Sequence, residues 1–186
     1  MPNAAGRDSR IGSRGRANVK KVSRPFEESE ALPGSMMDVP LTVRWIYEHV
    51  ARNHARRELV SRNEDGTLFR CTYGDFVKRV AQLAGVLVSF GVRPGDRVAS
   101  FAWNTHRHLE LYYAVPMLGA VLHTTNIRLF PEQVEWVLRH AEDRFAFVDA
   151  SLEPALARAL QLSSDPPRTV MLDERYDALL HDILLA

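Results

Sequence analysis

The stretch "GAVLHTTNIRL", Gly119–Leu129, carries the change of pattern that decides the fold. Gly119, Ala120, Val121 and Leu122 are small or apolar, as in a strand entering a core. His123, Thr124, Thr125, Asn126 and Arg128 then bring hydrogen-bonding side chains. A strand tip of this kind is where open parallel sheets meet ligands, at their carboxyl ends. The competing reading is a plain turn at Thr125 and Asn126, which suits their local preference. Upstream, "RVASFAW" reads as a core strand and "HRHLELYYAVPMLG" as a helix interrupted by Pro116. Downstream, Pro131 opens a helix at its first turn, with Val134, Val137, Leu138 and Ala141 facing inward. "RFAFVD", "SLEPALARALQL", "RTVMLD" and "RYDALLHDILLA" continue as strand, helix, strand and helix. This alternation, from about residue 97 on, predicts an α/β class with right-handed crossovers and a mostly parallel sheet flanked by helices.

Earlier segments follow local rules. "PLTVRWIYEHVARNH" offers Leu41, Trp45, Ile46 and Val50 at helical spacing, with a start near Thr42. "ELVSR" and "LFRCT" flank Glu64-Asp65-Gly66, a hairpin signal. Thr72 caps a long helix with Asp75 as its capping-box partner. That helix carries Phe76, Val80, Leu83, Leu87 and Phe90 on one stripe and stops at Gly91. Residues 1–35 have few apolar residues and no period, and read as a disordered basic tail. Within residues 1–24, Arg7, Arg10, Arg14, Arg16, Lys20, Lys21 and Arg24 face only Asp8. The tail is a solvated extension or translation begun upstream of Met36-Met37, a basic arm, or an organelle transit peptide lacking the apolar face.

The chain has 186 residues with a net charge of +1. Beyond residue 24 the chain holds 17 basic against 22 acidic residues, so nothing in the body points to nucleic acid. Cys71 is the only cysteine, which excludes an internal disulfide and suits a reducing compartment. No apolar run approaches a membrane span or a secretory signal.

Candidate chemistry is sparse. A phosphate loop needs glycines that let backbone N–H groups approach the anion. Gly119 is the last glycine, and 67 residues follow without one. Gly91 and Gly95 lead into a strand rather than a helix. His106 and His108 are two apart, so on a helix they point to different sides and read as a solvated helix start. His106 and Glu110 are cofacial, but two ligands do not make a metal site. Asp149 and Asp173 end strands and read as caps of the helices that follow. No G-x-S-x-G elbow exists, and Cys71 has no adjacent base.

"WNTHRHLELYYAVPMLGAVLHTTNIRLFPEQVEWVLRHAEDRFAFVD", Trp103 to Asp149, strongly resembles fatty-acid–CoA ligases of the adenylate-forming superfamily. "TYGDFVKRVAQLAGVLVSFGVRPGDRVA" and "MMDVPLTV" are similar to earlier blocks of the same family. The resemblance covers about Met36 to Leu160 and is looser from Gln161. Ile127 departs from it, standing where many relatives carry proline. The resemblance implies activation of a fatty acid by ATP to an acyl-adenylate, then transfer to coenzyme A, with Mg2+ required. The family's Ser/Thr/Gly-rich loop, its adenine-, ribose- and magnesium-binding segments and its small C-terminal domain have no counterpart here. No catalytic residue of the family falls on a residue of this chain, and the chain alone is expected to bind no cofactor.

The resulting expectation is a disordered tail, 1–35, followed at 36–186 by an incomplete N-terminal AMP-binding domain. The chain reads as a truncated, cytoplasmic fatty-acid–CoA ligase, inactive alone and poorly soluble, with an uncapped end after "HDILLA". A split ligase completed by a second chain is a variant of this reading. The alternative is a non-catalytic module that forms a homodimer or pairs with a complete ligase. His123, Thr124, Thr125, Asn126 and Arg128 are the residues expected to border a cleft.

Overall fold

Val98, Ala99, Ser100 and Phe101 are all almost sealed from solvent, so their strand, β3 (Arg97–Phe101), is covered on both faces. The computed structural model describes residues 39–182 and places β3 inside a four-stranded sheet. β4 (Val121–Thr124) and β5 (Phe145–Val148) flank β3, and β6 (Arg168–Met171) lies beyond β5, giving the order β4-β3-β5-β6. Every pairing is parallel, with Ala99 level with His123 on one side and Ala146 on the other. Burial on both faces explains why these strands read as near-continuous apolar runs.

Helices cover the two faces. On one, Val98, Phe145, Phe147 and Val170 pack with α2 (Tyr73–Ser89), α3 (His106–Met117) and α6 (Glu174–Asp182). On the other, Ala99, Phe101, Ala146 and Val148 pack with α4 (Pro131–Ala141) and α5 (Glu153–Leu160). Of the stripe expected on α4, Val134 and Leu138 are buried and Val137 and Ala141 only partly so. β1 (Glu58–Arg62) and β2 (Leu68–Thr72) form the separate antiparallel hairpin, with Leu59 opposite Cys71.

Local signals end the helices as read. The Thr72 hydroxyl accepts from Asp75 N at 3.1 Å, and Thr72 N donates to the Asp75 carboxylate at 3.1 Å. Gly91 stops α2 at φ +79°, and Val92 N reaches back to Leu87 O at 3.0 Å. Gly119 sits at φ +75°, and a Cβ there would lie 3.2 Å from Pro94 Cβ. A side chain would therefore separate the turn before β3 from the turn before β4.

Two expectations change. α1 (Val43–Asn53) turns Tyr47 inward, its hydroxyl donating to Val77 O at 3.0 Å, and leaves Trp45 and Ile46 exposed. The apolar residues occupy more than one face of that helix, and the partner helix selected the face carrying tyrosine. Pro116 does not interrupt α3; it lies in the last turn, one residue before the helix ends. The chain divides into two units, Met1–Val39 and Pro40–Ala186, and all the elements named belong to the second. The tail, its boundary near residue 36 and the uncapped end after residue 182 lie outside the described residues.

Candidate functional site at the carboxyl edge of the sheet

The strand order sets where a crevice opens. From β3 the chain runs through α3 on one face to β4, then through α4 on the other face past β3 to β5. The loops leaving β3 and β5 therefore diverge to opposite faces, which is the topological switch point of an open α/β sheet. A cavity of about 460 Å3 lies there, lined by Arg62, Asn63, Glu64, Trp103, Asn104 and Ser151.

Trp103 is fixed in this crevice at each of its polar groups. Its backbone N–H donates to Asp149 Oδ2 at 2.6 Å, and its indole Nε1–H donates to Ser151 Oγ at 3.1 Å. Its carbonyl accepts from Thr105 N at 2.8 Å and from His108 Nδ1 at 3.1 Å. A carbonyl only accepts, so Nδ1 of His108 carries the proton. Nε2 is then the acceptor for the Ser100 hydroxyl, 2.9 Å away. Asp149 is 2% exposed, and burial pushes its carboxyl up to about 6 despite the Trp103 N–H. Asp149 is thus a clip between the ends of β3 and β5, not the helix cap expected of it. Asp173 does cap, accepting from Arg175 N at 2.9 Å at the start of α6.

Ser100 and His108 form a serine–histidine pair that no local motif announced, since one is on a strand and the other on a helix. Ser100 is 1% exposed, so no substrate reaches its hydroxyl. The pair holds the Trp103 loop. The solvated start expected at His106 and His108 is corrected: both are buried. His106 stacks on Phe69 with centroids 3.6 Å apart, and His108 reaches Ser100. Burial lowers His106 from the ordinary 6.5 to about 4 and lowers His108 as well. Both histidines are therefore neutral at pH 7.

The tip of β4 divides among different environments. His123 Nδ1 lies 2.6 Å from Asp143 Oδ2, reaching back toward the amino end of β5. Thr124 is exposed. Thr125 is buried, with its backbone N–H on Ser100 O and its hydroxyl without a hydrogen-bond partner. Asn126 makes the turn, its Oδ1 accepting from Arg128 N at 3.0 Å, and Arg128 is exposed. The side chains around the 460 Å3 cavity come instead from the hairpin and from the ends of β3 and β5.

Over residues 46–182 the chain matches the AMP-binding enzyme family. The chain belongs to that family. It is 40% identical over 149 residues to a long-chain-fatty-acid–CoA ligase of Thermus thermophilus, covering 80% of this chain and 28% of the relative. It is 37% identical over 150 residues to a 3-methylmercaptopropionyl-CoA ligase of Ruegeria lacuscaerulensis, covering 81% and 28%. The solved N-terminal domain of FACL13 from Mycobacterium tuberculosis superposes with a TM-score of 0.63 at 27% identity, covering 73% of this chain and 35% of that one. This AMP-binding family chain therefore spans little more than a quarter of the length of the ligases it matches. Its parallel sheet and helices are those of the N-terminal domain of adenylate-forming enzymes. Among the described residues no three His, Cys, Asp or Glu side chains gather as metal ligands. Among the described residues no glycine-rich loop opens a helix.

Proposed function

We propose that the chain supplies the N-terminal segment of a fatty-acid–CoA ligase and does not complete the reaction alone. In that reaction a fatty carboxylate oxygen attacks the α-phosphorus of ATP and pyrophosphate leaves. The sulfur of coenzyme A then attacks the acyl carbonyl and AMP leaves. The observation that supports this reading is the coverage: four-fifths of this chain aligns, against 28% of the Thermus ligase. The glycine-free run after Gly119 agrees, because pyrophosphate needs backbone donors that bulky residues keep at a distance. A cytoplasmic setting goes with the single cysteine, and no described helix is long and apolar enough to cross a membrane.

The test is ATP–pyrophosphate exchange with a fatty acid, with the purified chain alone and with a second polypeptide carrying the later segments of such a ligase. Exchange only in the mixture is expected. Robust exchange by the chain alone would overturn the proposal, as would a mixture that binds and never exchanges. That last result favours the non-catalytic pairing module, a reading motivated by the open outer edges of β4 and β6.

A further inference from the structure

Helix α1 is anchored on one side only. Tyr47 turns inward to the Val77 carbonyl, and no residue of the helix is fully buried. At about 3.6 residues per turn, Trp45, His49 and Arg52 fall on the side opposite Tyr47. Leu41 lies one turn before Trp45, and Ile46 beside it. Leu41 is 87% exposed, Ile46 54% and Trp45 49%. A contiguous apolar set on an outer face, rimmed by polar groups, marks a contact surface for a protein or a membrane.

The charge around this set selects between the two. From residue 40 to residue 57 there are four arginines, Arg44, Arg52, Arg56 and Arg57, against one acid, Glu48. Glu48 is shared, accepting from Arg44 Nε and from Arg52 Nη2, each at 2.8 Å. Arg56 and Arg57 follow in the turn after the helix and are exposed. The next acid, Glu58, is taken by Arg70 at 2.8 Å. Tryptophan and aliphatic side chains beside arginines are the composition of a helix that lies in the headgroup layer of a bilayer. There the apolar groups meet acyl chains, while arginine stems lie along that surface and bring the guanidinium to the lipid charges. We propose that the outer face of α1 docks the chain on an anionic lipid surface. Trp45 and Ile46 enter the headgroup boundary, and Arg52, Arg56 and Arg57 face the lipid charges. The docking is peripheral, since no described helix is long and apolar enough to cross a membrane. It rests on α1 and not on the ligase reading, so vesicle binding and pyrophosphate exchange fail separately.

Flotation of the full chain tests this, because bound protein rises with vesicles while aggregates sink. One set of vesicles is phosphatidylcholine alone, and the other contains about 30% phosphatidylserine as the anionic lipid. Flotation with the anionic vesicles, little with the neutral ones, and a fall in binding as salt rises are expected. W45S/I46S should abolish flotation. R56Q/R57Q should lower the partition coefficient about thirtyfold, from the attraction of two arginines to the charged surface. All four positions are exposed, and thermal melts followed by circular dichroism establish that each variant is folded. Should W45S/I46S be unfolded, I46D takes its place with the same expectation. Absence of flotation, or equal flotation with neutral vesicles, overturns the proposal. So does unchanged flotation of the folded W45S/I46S or I46D chain, which would assign binding to the basic run of residues 1–24 that these variants keep. Capture on immobilised polyglutamate without flotation would make the partner an acidic protein, and also overturns it.

Discussion

Asp149 and His106 bring opposite pH dependences to one end of the molecule. The Asp149 carboxyl is raised by burial to about 6, so the folded chain holds its proton more tightly than the unfolded chain. Its contribution to stability is full below about pH 4 and is lost as pH rises through 6. His106 is lowered to about 4, so its contribution is present above 6.5 and is lost as pH falls through 4. D149N removes the first titration and leaves the second. The thermal midpoint of D149N should therefore fall more steeply on acidification from pH 6 to 4 than that of the parent. A parallel pair of midpoint curves would refute the placement of Asp149. Its position at a strand end was legible in the sequence. Its role was not, because Trp103 is 46 residues away and a backbone N–H leaves no sequence signal. Asn126 shows the converse: its turn was legible because donor and acceptor are two residues apart.

Helices α2, α3 and α6 are locked by a cluster of charges that spans nearly a hundred residues of chain. Arg79 Nε donates to Glu110 Oε1 at 2.5 Å, and its Nη2 donates to Asp177 Oδ1 at 2.6 Å. Arg107 holds the other Asp177 oxygen at 2.6 Å, and the Tyr176 hydroxyl donates to Glu110. Burial raises Glu110, with the Arg79 guanidinium opposing it; Asp177 is pushed up by burial but held below the usual carboxylate range by Arg107 and Arg79. Removing one partner of a buried pair strands the other charge, at a cost of about 3 to 5 kcal/mol. E110A should lower unfolding stability by about that amount in urea, whereas an exposed pair such as Arg44–Glu48 should matter far less. A loss below about 1 kcal/mol in E110A would mean that water, not Arg79, satisfies Glu110. The Thr72 capping box and the Gly91 stop were readable within α2 because each acts across a few residues. The cluster was not, since helical spacing made the cofacial His106 and Glu110 look like a pair on one surface. Packing of α6 instead buried Glu110 against Tyr176.

At the scale of the molecule, β4 and β6 are the edges of the described sheet, and Val121 on β4 is half exposed. An open edge with an apolar side chain is a template for strand addition. We expect concentration-dependent association by light scattering, and a V121K chain should reduce it without lowering the thermal midpoint. Unchanged association would move the contact elsewhere, for example to the exposed Phe130 and Trp136. By itself the sequence determined the alternation of strand and helix, the hairpin, the ends at Thr72, Gly91 and Asp173 and the family, because each rests on residues near one another in the chain and on blocks in a set order. Only the tertiary structure decided the sheet order, and with it the crevice between β3 and β5. It alone buried His106 and His108 and aimed Asp149 at Trp103. Those outcomes depend on which faces meet after long loops close, and the free energy of that meeting is not written in any local stretch.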